Sequence, residues 1–189
     1  MGEWDAGNFN EPIPYQEYTV ARIFVHPSYS ATSLSNSIAI LRLSPMVPLG
    51  AYPSITTGCL ATSFITGLRC WVSGWGANGF STGSAQFVQT HVDIPLVDQA
   101  SCLTKLRTTK LGSNFVLDNN SFLCAGGESG KGKKPSTLSV PNVEKFYFKD
   151  ACTGDGGAPL VCPVAGKFYV VGLVAWGIGE STRKVQHEN

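Results

Sequence analysis

Hydrophobic and polar positions alternate most regularly over residues 87–97. Val88, Thr90, Val92, Ile94 and Leu96 fall on one side of an extended chain, and Gln89, His91 and Asp93 on the other. Successive strand side chains point to opposite faces, so this pattern predicts a half-buried strand. Asp98 follows as an N-cap for a short helix carrying Cys102, Leu103 and Leu106, with Gly112 to end it. Residues 18–25 (YTVARIFV) read as a strand entering a turn at His26-Pro27. Residues 38–43 (IAILRL) are apolar on both faces, which predicts a buried strand. Further strands are expected at 70–75 (CWVSGW), running into a Gly-rich turn over 76–84, at 122–125 and at 168–176. Residues 44–64 contain Pro45, Pro48 and Pro53 and are expected to form a connector that holds no central strand. Residues 129–148 start basic and end apolar, as an inserted loop would. No internal repeat is present.

Composition narrows the class. The chain has 189 residues, 43% apolar and 14% charged, against about 25% charged in an average domain. That excludes a disordered chain and leaves one domain, two at most. The 21 Gly and 11 Pro favour short strands joined by tight turns, an all-β pattern. A net charge of +1 excludes a charge-driven binder of nucleic acid or of a membrane surface. The best apolar run, 168–176, is far shorter than the roughly 20 residues that span a bilayer. The start, MGEWDAGNFNE, shows no basic stretch followed by an apolar one, so no signal peptide is visible. The six cysteines, Cys59, Cys70, Cys102, Cys124, Cys152 and Cys162, form no C-x-x-C pair. Their scatter suits disulfides made in an oxidising compartment. Cysteine use of a secreted kind without an export signal points to a fragment or a shortened gene product.

Several short motifs lack the context their chemistry needs. Gly74, Gly76 and Gly79 match a dinucleotide-binding spacing, but turn residues follow where a helix should start. Residues 79–83 match G-x-S-x-G inside a hairpin rather than between strand and helix. Residues 127–133 (GESGKGK) imitate a phosphate loop, yet Lys134 stands where the metal-binding hydroxyl should be and Pro135 follows. The KGKK run reads as a solvated loop. His26, His91 and His187 do not cluster, and no metal site is expected. Asn119-Asn120-Ser121 is a glycosylation sequon, meaningful in a secreted chain.

Residues 149–162 read KDACTGDGGAPLVC. They resemble the nucleophile loop of chymotrypsin-like serine proteases, G-D-S-G-G-P, here Gly154-Asp155-Gly156-Gly157-Ala158-Pro159. IAILRL, VSGWG at 72–76, LCAGG at 123–127 and VAWG at 174–177 resemble further family segments in the same order. GEWD, NEPIPYQE and HPSY near the start are similar to the arthropod clip-domain serine protease homologues, in which glycine typically replaces the nucleophile. The resemblance spans residues 2–128 and 149–179. It implies an incomplete chymotrypsin/trypsin-like double β-barrel: 1–48 a remnant of the first barrel, 49–68 the connector, 69–179 the second barrel with 129–148 inserted, and 180–189 a divergent tail. Barrels remove strand edges by closing, so an unclosed one is expected to be marginal and prone to associate.

A protease of this kind needs a nucleophile, a base and an acid that orients the base. The resemblance places Gly156 at the nucleophile position and Ser37, in Asn36-Ser37-Ile38-Ala39, at the acid position. The base would precede Ser37 by dozens of residues, so its segment is expected to be absent; His26 lies too close. Losing the nucleophile alone costs about 10⁶-fold in a measured protease of this mechanism. No peptidase activity is expected, and Gly154, Asp155 and Gly156 remain as a vestigial oxyanion loop. Asp150, Ala175, Trp176 and Gly177 correspond to a vestigial pocket for a basic side chain. Its far wall should follow residue 179, where the sequence diverges. In active members the counterpart of Asp155 pairs with a freshly cut N-terminus; here Asp155 reads as a turn residue. By resemblance Cys70 pairs with Cys162 and Cys102 with Cys124. Cys59 resembles the cysteine that ties the domain to an upstream region. The partner of Cys152 is expected near position 180, where Glu180 stands, so Cys59 and Cys152 are left unpaired in this chain. The function implied is that of a secreted, non-catalytic cofactor in an extracellular proteolytic cascade, the prophenoloxidase and melanisation cascade of arthropod innate immunity. Its partners would be active clip proteases and a prophenoloxidase-type zymogen, with no nucleic acid, membrane or small cofactor. An active trypsin-like endopeptidase is opposed by Gly156 and Ser37. A truncated, functionless isoform would fit the insert and the tail.

Overall fold

The computed structural model describes residues 1–77, 84–128 and 153–178. The predicted loop 129–148, the tail 180–189, the Gly-rich turn over 78–83, Asp150 and Cys152 lie outside them. The described residues form two sheets and one short helix, an all-β arrangement.

Strands β1 (Thr19–Val25) and β2 (Ala39–Ser44) pair antiparallel as a sheet of their own. Pairing of Val25 with Ala39, Ile23 with Leu41 and Val20 with Leu43 puts six aliphatic side chains on one face. Phe24, Ile40, Arg22 and Arg42 share the other. Arg22 and Arg42 oppose each other directly, an unfavourable like-charge pair. The Arg22 guanidinium lies 4.7 Å from the centre of the Phe24 ring, which offsets part of that repulsion. The expectation that 38–43 is a buried strand is corrected here: Ile40 is 69% and Leu41 52% exposed. A strand apolar on both faces is buried only if layers cover both, and among the described residues no layer covers either.

The second sheet has the order β3-β8-β7-β4-β5-β6 and curls into part of a barrel. Its strands are β3 (Cys59–Leu60), β4 (Arg69–Gly74), β5 (Thr90–Val97), β6 (Cys124–Ala125), β7 (Pro159–Val164) and β8 (Lys167–Leu173). All neighbours run antiparallel except β3 beside β8. The alternation in β5 works as its sequence requires: Val92, Ile94 and Leu96 are buried, with Cys70, Val72, Leu160 and Cys162 from β4 and β7. β7 and β8 join through Ala165 and Gly166, both at positive φ (49° and 76°), as a two-residue hairpin of matching twist requires. The proline-rich connector still supplies an edge strand, β3, within its last residues. β8 ends at Leu173, before the expected 176, although Val174 still donates to the Ala158 carbonyl.

Helix α1 (Gln99–Arg107) starts where Asp98 Oδ1 accepts the Ser101 N–H at 2.8 Å. It stops at Thr108 rather than at Gly112, whose φ of 80° closes the next turn instead. A disulfide from Cys102 ties α1 to Cys124 on β6.

Part of the segment before β1 joins the second sheet. Trp4 O accepts the Gln89 N–H and the Trp75 indole N–H, and Ala6 N donates to Phe87 O. Glu11, buried, turns one carboxylate oxygen to the backbone N–H groups of Trp4 and Asp5. The segment expected to be first-barrel remnant is thus partly sewn to the second sheet.

Candidate functional site

Loop 153–158 sits between β4, β7 and the continuation of β8. Ala77 N donates to Thr153 O (2.8 Å), Gly157 N to Val174 O (2.8 Å) and Ala158 N to Asp155 O (3.0 Å). The last bond makes Asp155 the first residue of a tight turn. Gly154 and Gly157 have φ of 92° and 84°, a region that favours glycine.

The Asp155 side chain is 1% exposed, so the residue expected to be a turn former also has a packing role. Gly76 N donates to its Oδ1 at 3.0 Å. A buried carboxylate persists only with such charge-assisted bonds. Room for it comes from two glycines. A Cβ at Gly74 would lie 2.5 Å from Oδ1, and one at Gly76 would run into both carboxylate oxygens. A Cβ on Gly154 would approach the Gly76 Cα at 3.2 Å, so the two backbones need each other bare.

Gly156 differs from these neighbours. Its φ is ordinary and a Cβ there would meet nothing within 4 Å. Neither backbone nor packing demands glycine at 156, and the position faces open space with no side chain on it. The N–H groups of Gly154 and Gly156 donate no hydrogen bond among the described residues.

Ser37 is exposed in the loop between β1 and β2. Asn36 holds that loop, with φ of 57° and its amide donating to Ser28 O at 3.0 Å. No described hydrogen bond joins Ser37 to loop 153–158. His26 Nδ1 accepts the Ser28 N–H at 3.1 Å, a local turn contact. Trp176 is half-buried between two rings, edge-to-face with Phe115 (6.1 Å) and Phe122 (5.8 Å). Ala175 is half-buried beside it and Gly177 is exposed with open space at its Cβ position. Of the pocket residues only this wall is described, because Asp150 is not.

Cys70 and Cys162 are bonded inside the core of the second sheet, and Cys102 to Cys124 at its edge. Cys59 is an exposed thiol on β3. Asn119 is exposed in a turn. Among the described residues no group of three or more His, Cys, Asp or Glu could hold a metal ion. No helix there is long and apolar enough to cross a membrane.

Three features are not announced by the sequence. Gly74 and Gly76 matter as the floor under Asp155; the recurring glycines of S-G-W-G are a signal, but the partner of Gly76 lies 79 residues away. The Phe115–Trp176–Phe122 group has no local pattern. Arg69 bridges two carboxylates, Nε to Asp93 at 2.7 Å and Nη2 to Glu128 at 3.0 Å. Those bonds hold the guanidinium charged well beyond its ordinary range and tie Glu128 to β4 and β5.

With this geometry in place, comparison with known proteins gives a consistent result. The trypsin family model matches residues 5–136 and 141–187. The chain is 57% identical over 186 residues to inactive CLIP domain-containing serine protease A3 of Aedes aegypti, covering 98% of this chain and 35% of that protein. It is 37% identical over 185 residues to phenoloxidase-activating factor 2 of Galleria mellonella, covering 94% and 54%. It is 35% identical over 182 residues to inactive CLIP domain-containing serine protease A28 of Anopheles gambiae, covering 95% and 42%. The chain thus spans only part of the length of these relatives, 35% to 54%.

Proposed function

The chain belongs to the trypsin family, in its non-catalytic branch of protease homologues, and from that premise we propose that it acts by binding, as a secreted cofactor in an extracellular proteolytic cascade of the kind that activates phenoloxidase. The observation that carries this reading is Gly156. The loop that would present a nucleophile keeps its turn, its bonds to both flanking strands and its buried aspartate, yet position 156 has no side chain. Acyl transfer of this type starts with an oxygen or sulfur nucleophile attacking a carbonyl carbon, and glycine supplies neither. Ser37, at the position we assign to the acid, is neutral and cannot stabilise an imidazolium as a carboxylate does. With the chemistry removed, what the loop retains is shape, and shape serves recognition.

Secretion is supported by the two internal disulfides, which form and persist in oxidising compartments. The partners proposed are an activated clip-type protease and a prophenoloxidase-type zymogen, by likeness to a relative named as a phenoloxidase-activating factor.

A two-part experiment tests the reading on the full-length protein. A fluorophosphonate probe should leave it unlabelled while labelling an active trypsin in the same tube. Added to purified prophenoloxidase and its activating protease, it should raise phenoloxidase activity in proportion to its concentration. Labelling of the chain, or no effect on activation together with no binding to either component, overturns the proposal.

A further inference from the structure

We propose that Asn119 carries an N-linked oligosaccharide that stands beside the aromatic group around Trp176. This rests on the secreted reading above. Asn119-Asn120-Ser121 is the chain's sole acceptor sequence of the form N-x-S/T with x not proline. The fold leaves it usable. Asn119 is exposed and makes no hydrogen bond among the described residues. Its neighbours hold the turn without it. Asp118 Oδ1 accepts the Asn120 N–H at 3.0 Å, Asp118 Oδ2 the Ser121 hydroxyl at 2.6 Å, and the Asp118 carbonyl the N–H groups of Ser121 and Phe122. Leu117, buried, anchors the near end. A large group on the Asn119 amide therefore breaks nothing.

In the modification the Asn119 amide nitrogen attacks C1 of a lipid-pyrophosphate-linked oligosaccharide. A C–N bond forms, the C–O bond to pyrophosphate breaks, one amide proton is lost and the lipid pyrophosphate leaves. The anchor is three residues from Phe122 and four from Phe115, the rings that hold Trp176. Three residues span at most about 10 Å. The sugar stands next to Val116, which is 76% exposed. A hydrophilic chain there shields that exposed valine from apolar contacts with other molecules.

The test is expression of the full-length protein in insect cells, with peptide mapping across 111–128 before and after amidase treatment. The expected result is a glycopeptide at Asn119 that the amidase converts to aspartate. It should vanish in Asn119→Gln and Ser121→Ala and persist in Ser121→Thr, which keeps the acceptor sequence. Secreted, disulfide-bonded protein with an unmodified Asn119 overturns this inference and leaves the secreted reading standing. Retention inside the cell with free thiols overturns both.

Discussion

Replacing Gly76 by alanine should unfold the site from beneath, and replacing Gly156 by alanine should do almost nothing, although the two glycines serve one loop. The Cβ at 76 would occupy the place of the Asp155 carboxylate, which is 1% exposed and takes the Gly76 N–H at 3.0 Å. Either the carboxylate leaves or β4 shifts. Losing a hydrogen bond to a charged group costs about 1.5–3 kcal/mol, and forcing extra volume into packed surroundings about 1–3 kcal/mol. The expected loss is roughly 3–5 kcal/mol, or a fall in Tm of about 6–20 °C at this chain length. Gly156 has ordinary φ and open space, so its substitution should stay within about 0.5 kcal/mol. Thermal and urea unfolding followed by tryptophan fluorescence measure both. A double-mutant cycle adds the mechanism: in an Asp155→Ala background the Gly76→Ala penalty should shrink by more than about 1 kcal/mol, since contacting residues couple. Equal losses for the two glycine variants, or strict additivity in the cycle, would refute the reasoning.

Gly156→Ser should fold normally and restore a hydroxyl without restoring esterase activity, because Ser37 gives no acid to orient a base; turnover of an arginine ester above the wild-type background would contradict the assignment. Removing Cys102–Cys124 (separation 22) should cost about 3 kcal/mol and removing Cys70–Cys162 (separation 92) about 5 kcal/mol on the chain-entropy account, read from urea midpoints of the paired serine variants. The Asp98 carboxyl is held below its ordinary range by the backbone N–H and hydroxyl of Ser101, and Asp118 by the Ser121 hydroxyl and the Asn120 N–H. Their folded forms hold protons less tightly than the unfolded chain, so their contribution is present above about pH 4 and fades as pH falls through the depressed values. The double variant Asp98→Asn, Asp118→Asn should therefore show a flatter loss of stability between about pH 4 and pH 2 than the parent; an unchanged acid limb would show that these carboxylates do not contribute.

Features built from neighbours in the chain are legible in the order of residues. Asp98 as a cap needs only its own carboxylate and the N–H three residues on. The alternation in β5 needs only a period of two. The β7–β8 hairpin is harder to read, because Ala165-Gly166 is not among the pairs that announce a two-residue turn, and Ala165 reaches positive φ only in the company of its paired strands. The helix end departs from its expected place for a related reason. Gly112 is a C-terminal signal, but Thr108 already turns the chain by bonding back to Leu106 and Lys105.

The amino-acid sequence alone determined the all-β character, the short capped helix and the missing side chain at 156, because each follows from what a residue is or from its near neighbours. The tertiary structure alone decided that Asp155 is buried over two bare glycines, that Trp176 is clasped by two phenylalanines and that β2 is uncovered among the described residues. Burial is a property of what arrives from elsewhere in the chain. No local pattern records whether a facing layer is present, or which distant backbone must lack a Cβ for a carboxylate to fit.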